Sequence, residues 1–493
     1  MTAKTWMCSW ARVLVFSSLL SGMDGAPAHD NDGRAGGGQD PNPAAPAGMA
    51  MLGRGGRVPI GDGQGLLRRV DSIERHGITW TFAQPVVTGG YANGDPWVKG
   101  PVEIVSIEPK TVAVEGRAMH GSMIDPEPHT DVQGYDGMLY GKSTGERYDP
   151  KRNVALGVDK QSPLVLQVGQ SLVSVESRKQ TEPAPSLVRA AVLTCVDELP
   201  APDSFRPPYV AVRGGKGSKS HVASHREIQL DYGMLRRLQP VDEMPNIRSV
   251  APRFERLWLD HIPQWIRRHL HPKEHMPDYG RDIGALVGTA GLLLNTDASD
   301  ADKRDLLVRF VQFGLDSHAV VKQGGKFKGV GGHGHGRKLP ILVAGLVLHD
   351  DELLAVGRDF PSIALLAGGK GARFAEDGQT FFIRETSKNV YNWGHGGYQQ
   401  EHVGLPEWGF SHADDPARDD VAWDSNPYRR CCTANAWLGQ ALTARVMGLQ
   451  EQWSHEAWFA YVDRYQQAEH KEAWHRAWVS WHVRMWQRYR EQN

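Results

Sequence analysis

The sequence predicts a mainly α chain, an α/α toroid (an incomplete barrel of helical hairpins) preceded by a β-rich N-terminal region. Three observations carry that prediction. From about Pro245 onward, segments of roughly ten to twenty residues place apolar side chains at helical spacing and are separated by short polar breaks. From about Leu66 to Pro240 the texture is one of short β-branched or alternating runs, punctuated by Gly, Pro and Asp. Ahead of both lies a Gly-, Pro- and Ala-rich stretch with almost no large apolar residue. Helical hairpins in succession stack as a bundle, a solenoid or a closed toroid, and a toroid would set glycine-rich end loops around a cleft.

Taken in order, residues 1–28 read as a secretory signal peptide. Lys4 and Arg12 precede an apolar run from Val13 to Met23, and small residues follow at Ala26-Pro27-Ala28. The chain is therefore expected to be secreted or periplasmic. Residues 29–65, including HDNDGRAGGGQDPNPAAPAG, cannot bury enough apolar surface to offset ordering, and read as a flexible linker. Residues 66–240 form the β-rich region, with GITWTF, PWVKGPVEIVSIEP, SPLVLQVGQSLVSVESR and LVRAAVLTCVDEL as strand material in a mostly antiparallel sheet. Within it, Asn93-Gly94-Asp95-Pro96 is a turn signal.

Residues 241–493 form the expected helical domain. Its segments are RFERLWLDHIPQWIRRHL, RDIGALVGTAGLLL, ASDADKRDLLVRFVQFGLDSH, LPILVAGLVLHD, CCTANAWLGQALTARVMGLQ, SHEAWFAYVDRYQQ and EHKEAWHRAWVSWHVRMWQRYR. In the last, Trp474, Trp478, Trp481, Met485 and Tyr489 fall near helical spacing and read as one apolar stripe.

Composition excludes several function classes. The 493 residues carry 56 Lys plus Arg against 57 Asp plus Glu, without a long basic run, so no nucleic-acid partner is expected. No segment after the signal approaches the ~20 apolar residues of a membrane-spanning helix. Of four cysteines, Cys8 would leave with the signal. Cys195 and the adjacent Cys431 and Cys432 leave one bridge open, and the lack of a Cys-x-x-Cys pair argues against a thiolate zinc site. No cofactor is expected, and the sequence leaves the oligomeric state open.

Three polar loops interrupt the helical region. GGHGHGRKLP (Gly331 to Pro340) interleaves glycines with His333, His335, Arg337 and Lys338, and reads as an open loop whose backbone can approach a ligand. NVYNWGHGGYQQEHVGLPEWG (Asn389 to Gly409) offers Tyr391, Asn392, His395, Gln399 and His402. DSNPYRRCC adds Arg429 and Arg430. Tyrosine, imidazole, amide and guanidinium together suit β-elimination on a uronic-acid polymer. A base removes the C5 proton, an acid protonates the departing C4 oxygen, and cations or amides neutralise the carboxylate and the enolate-like charge. His333, His335, His395 and His402 could also be drawn as a zinc set, but no compact His-Glu-x-x-His spacing supports a metal.

The order GITWTF and YANGDPWVKGPV, then GGHGHGRKLPI, then YNWGHGGYQQEH and the helical tail resembles the secreted α/α-toroid polysaccharide lyases that cleave mannuronate-rich alginate or glucuronan. The resemblance implies a catalytic histidine at His333 or His335 and a catalytic tyrosine at Tyr391. It implies an acidic polysaccharide substrate, held by Arg337, Lys338, Asn392, His395, Gln399, His402, Arg429 and Arg430. Two alternatives stay open. An α/α-toroid glycoside hydrolase would need a carboxylate pair drawn from Asp282, Glu401, Glu407 and Asp414. A carbohydrate-binding protein would need no reactive group.

Overall fold

The computed structural model describes residues 50–52, 56–58, 68–128, 130, 132–137, 147–179, 185–211, 224–262, 268–277, 279–329, 331–361, 372–385, 400–408, 429–468 and 479–492. It overturns the mainly α toroid. The protein is mixed, 39% helical and 22% strand, and is organised around a large curled mixed sheet shaped as a half-barrel.

Among the described residues, twelve strands arise before residue 200: β1 (Ala50–Leu52), β2 (Gly56–Val58), β3 (Arg68–Arg75), β4 (Ile78–Gly90), β5 (Pro96–Lys99), β6 (Val102–Glu108), β7 (Val112–Val114), β8 (Arg117–Met119), β9 (Ser122–Ile124), β10 (Leu164–Leu166), β11 (Ser171–Ser177) and β12 (Leu187–Val196). β1 and β2 fall within the stretch expected to be linker, and β1 also pairs with β3. Ten strands join one sheet in the order β2-β1-β3-β4-β5-β12-β11-β9, with β6 bridging β4 and β10. β7 and β8 form a separate hairpin. The sheet is not wholly antiparallel, because β12 runs parallel to β5.

Period-two alternation gives the sheet two apolar faces. On β11 and β12, Leu172, Ala191, Leu193 and Cys195 pack with Trp80, Phe82 and Ile104 inside the curl. Val173, Val175, Ala190 and Val192 face the other way, into a core shared with the helices. Strands buried on both faces read as continuous apolar runs, as in LVRAAVLTCV. Cys195 is a free, buried thiol, so the bridge left open between it and the cysteine pair is not made. Cys432 is disulfide-bonded.

The longer helices are α1 (Gly280–Leu294), α2 (Asp300–Lys322), α3 (Lys338–Leu348), α5 (Asn435–Val446), α6 (Glu456–Ala468) and α7 (Ser480–Tyr489), and the short α4 (Ala375–Gln379) lies between α3 and α5. Ser299 caps α2 by accepting from the Asp302 amide, and Asp300 and Asp302 place negative charge against its N-terminus. RFERLWLDHIPQ is not a long helix: between the turn Ala251–Phe254 and Ile262 the chain is irregular. Pro252 and Pro263 interrupt the helical pattern there. The long helix expected at this point is missing among the described residues, and the helices share their core with one face of the sheet rather than with one another alone.

Two contacts set the position of the candidate site. Arg206, on the chain leaving β12, is fully buried and donates to Asp95 of the β4–β5 turn (2.8 Å) and to Asp316 of α2 (2.5 Å). Gln312 of α2 closes the joint by accepting from the Arg206 amide (2.8 Å) and donating to its carbonyl (3.1 Å). On the far side α1 lies directly against α5. Gly280, Gly284, Gly288 and Gly291 lie close to one ridge of α1. A Cβ on Gly288 would fall 2.8 Å from the Gln440 amide nitrogen and 2.9 Å from Gly439, and one on Gly291 would fall 2.7 Å from Thr443. On α7, Trp481, Met485, Trp486 and Tyr489 are buried.

Gly288→Ala should therefore destabilise the fold by ~1–3 kcal/mol through overpacking against backbone that cannot yield. Chemical denaturation of the variant measures this, and an unchanged midpoint would show that the two helices can part.

Candidate functional site

GGHGHGRKLP is not an open loop. Every residue from Gly331 to Pro340 is buried. Gly331, Gly334 and Gly336 adopt φ of 54°, 81° and 86°, a left-handed backbone that glycine reaches without strain. Gly332 leaves room for the Tyr279 ring, which a Cβ would meet at 2.2 Å. The glycines thus serve tight curling and close packing.

His335 is wholly buried. Trp437 Nε1–H donates to its Nδ1 at 3.0 Å, and since an indole nitrogen only donates, the ring proton sits on Nε2. That N–H donates to the Gly331 carbonyl, which also accepts from Gln379 Nε2 (3.0 Å). Trp408 Nε1–H completes the set by donating to Gln379 Oε1 (3.3 Å). Burial drives the His335 pKa down to about 3, so the ring is neutral at ordinary pH and braces the loop from inside.

The cations of the loop meet carboxylates of the protein itself. Arg337 grips Asp260 with a two-pronged contact (3.0 and 2.7 Å) and donates to the His335 carbonyl (2.5 Å). Lys338 donates to Asp377 and to the Trp453 carbonyl, each at 2.5 Å, between the rings of Phe374 and Trp453. Burial pulls its pKa down and the Asp377 carboxylate opposes that. Arg429, also expected to meet substrate, is buried and bonds to Glu407 (2.6 Å) and the Tyr461 hydroxyl (3.1 Å). Burial raises the Tyr461 pKa to about 12.

The short helix α4 supplies three of these partners within four residues. Glu376 Oε1 accepts from the Gly336 amide (2.7 Å), Asp377 holds Lys338, and Gln379 shares the Gly331 carbonyl with His335. The following β13 (Thr380–Phe382) pairs with β14 (Pro406–Trp408), which brings Glu407 and Trp408 to the same cluster. Burial raises the Glu376 pKa to about 7.

His333 differs from its neighbour. At 8% exposure it lies at the margin of the cluster, and its ring meets Tyr279 edge-on with centroids 4.5 Å apart. Tyr279, half-buried just ahead of α1, carries the guanidiniums of Arg281 and Arg268 at 4.5 and 5.3 Å from its ring centre. Arg281 also contacts Asp282 (3.3 Å) and the Cys432 sulfur (3.6 Å). Three separate segments thus bring an imidazole, a phenol, two guanidiniums and a carboxylate together.

Tyr391, Asn392, His395 and Gln399 lie outside the described residues, as do Asp414 and the side chain of Arg430. His402 sits half-buried on the turn Gln400–His402 that precedes β14. Among the hydrolase carboxylates, Glu401 is exposed and Glu407 is fully buried against Arg429. Tyr279, Arg268, Arg281, Asp260, Glu376, Asp377 and Gln379 were missed by sequence reasoning. A Tyr279–Arg281 pair at a helix start was visible, but nothing local connected it to His333.

Two recesses lie elsewhere. One of about 230 Å³ is lined by β6 with Thr111 and Ala155, and one of about 660 Å³ by Arg445, His455, Phe459, Asp463 and Arg490. Neither is lined by His333 or Tyr279. Among the described residues no cluster of three or more His, Cys, Asp or Glu could hold a metal ion, and no helix is long and apolar enough to cross a membrane. Comparison with known protein families, curated proteins and solved structures finds no match to this chain.

Removing one member of a buried pair leaves a charge stranded, so Asp377→Ala should cost ~3–5 kcal/mol in denaturant unfolding. The double variant Lys338→Met with Asp377→Leu should recover most of that loss, and equal losses in both would rule out the stranded charge as the cause.

Acid sensitivity follows from His335, His275 and His482, each held near pKa 3 by burial against 6.5 in water. Their contribution to stability is complete above about pH 6.5 and is lost as pH falls toward about 3, because the unfolded chain takes up the protons first. Glu376 and Asp316, raised by burial to about 7 and about 6, work in the opposite sense above about pH 4. The melting temperature should therefore fall most steeply below about pH 4.5, and His482→Gln should flatten that limb. A melting temperature that holds constant down to about pH 3 would contradict this assignment.

Proposed function

We propose that this chain is a polysaccharide lyase that cleaves a 1,4-linked polyuronate, mannuronan or glucuronan, by β-elimination outside the cytoplasm. The observation that supports the reading is the edge-on pair of His333 and Tyr279 beneath the guanidiniums of Arg268 and Arg281. In this reading the guanidiniums neutralise the uronate carboxylate and the enolate-like charge that grows on it once the C5 proton is removed. His333 takes that proton, and the Tyr279 hydroxyl delivers one to the C4 oxygen as the glycosidic bond breaks. The carbon–oxygen bond is lost and a C4–C5 double bond conjugated to the carboxylate forms.

His335 has no part in proton transfer here, since both ring nitrogens face protein groups. Its role is to hold the loop on which His333 stands. Tyr279 takes the part expected of Tyr391. A hydrolase reading gains no support from Glu407, whose carboxylate is already committed to Arg429.

Purified protein incubated with polymannuronate, polyguluronate, glucuronan and a neutral glucan should raise near-ultraviolet absorbance on an acidic polymer only. Tyr279→Phe and His333→Gln should each lower kcat by roughly 10²–10⁴-fold with the melting temperature little changed. New reducing ends without absorbance would replace elimination by hydrolysis, and full activity in both variants would remove these residues from the chemistry.

A further inference from the structure

We propose that Glu376 is a positioning residue for His333, whose carboxylate tightens the Gly331–Pro340 loop through the Gly336 amide only while it is ionised. Three features of the geometry carry this. The Gly336 N–H donates to Glu376 Oε1 at 2.7 Å, and Gly336 stands at φ 86° three residues after His333. Oε2 of the same carboxyl is buried and has no hydrogen-bond partner. The side chain is fully buried, out of reach of bulk water.

The two protonation states consequently hold the loop differently. As a carboxylate, Glu376 makes a charge-assisted bond to the amide, about twice as strong as its neutral counterpart. As an acid it places an O–H donor in a position without an acceptor, and the fold can relieve that only by shifting the side chain or the loop. Linkage agrees in sign: the Gly336 amide works to lower the Glu376 pKa against burial, so losing the proton strengthens the bond and gaining it weakens it.

The charged and titratable groups facing Glu376 are few. Lys338, at the start of α3, favours the carboxylate, and Asp377, on α4 itself, opposes it. Arg337 is saturated by Asp260, His335 is neutral, and His455, bonded to Thr380, is kept neutral by burial. With the groups named here paired or neutral, burial leaves Glu376 poised to change charge close to neutral pH.

Hydrogen–deuterium exchange of peptides spanning residues 331–340, corrected for the chemical exchange rate, tests the proposal. In the wild-type chain protection should rise severalfold between about pH 6 and about pH 8, and in Glu376→Gln it should be flat. Equal pH dependence in both, or none in the wild type, would overturn it. Should Glu376→Gln fail to fold, Glu376→Met carries the same comparison. The link to His333 rests on the lyase reading, so kcat on polyuronate is followed over the same range, and the wild type should show a steeper rise with pH than Glu376→Gln, which keeps only the rise due to the His333 base. If no polymer is cleaved, that reading fails, while the exchange data still decide how Glu376 acts on the loop.

Discussion

Charge neutralisation inside the core is the constraint around which this protein is built. Arg337, Lys338, Arg429 and Arg206 are each almost wholly withdrawn from water, and each has a carboxylate placed against it from a distant part of the chain. Removing such groups from water costs several kcal/mol apiece unless the geometry returns it. The return comes from short, often two-pronged contacts and from aromatic faces, Trp258 and Phe327 for Arg337 and Trp453 for Lys338. Backbone that delivers Asp260, Asp377 and Glu407 to these points has little freedom left. The irregular path between Phe254 and Ile262, the single turn of α4 and the β13–β14 pair are all shaped by that duty.

The same constraint separates the two histidines of the loop. With Arg337 and Lys338 drawn inward and Gly331, Gly334 and Gly336 at positive φ before them, the chain turns sharply along the loop. His335 ends against Trp437 and Gln379, while His333, two residues earlier, ends at the margin against Tyr279. Imidazoles that look equivalent in the sequence have become a brace and a reactive edge. The brace is rigid because both its nitrogens are engaged, and the edge lies nearer the surface, at 8% exposure against none for His335.

Much of this could be anticipated from the amino acids, and the failures have physical causes. The passage from strand texture to helix texture is plain in the sequence because periods of two and of 3.6 residues are local properties. How many layers the strands and helices make is not local. Strands such as LVRAAVLTCV, apolar on both faces, signal that helices must cover the sheet, and that outweighs the count of helical segments on which a toroid was predicted. The glycines of GGHGHG were legible as special backbone, but glycine serves close packing and openness equally well. Burial decides between them, and burial depends on Tyr279 and α1, some fifty residues away. Likewise Arg337 and Lys338 signal a need for carboxylates without saying whose. Asp260 and Asp377 lie 77 and 39 residues from their partners, and no local pattern joins them.

The Arg206 joint has a consequence for how the chain can be divided. Asp95 belongs to the sheet and Asp316 to a helix more than two hundred residues later, and one guanidinium serves both. A fragment ending after β12 would keep Asp95 with Arg75 but lose Arg206, and would expose Val173, Val175, Ala190 and Val192 along the uncovered face. An open sheet with such a face invites pairing with its own copies. During synthesis the same strands emerge before α2 does, so the nascent chain passes through a stage in which the face carrying Val173, Val175, Ala190 and Val192 waits for its cover. The strand-rich half is thus a dependent part, whose solubility is guaranteed only by sequence that follows it.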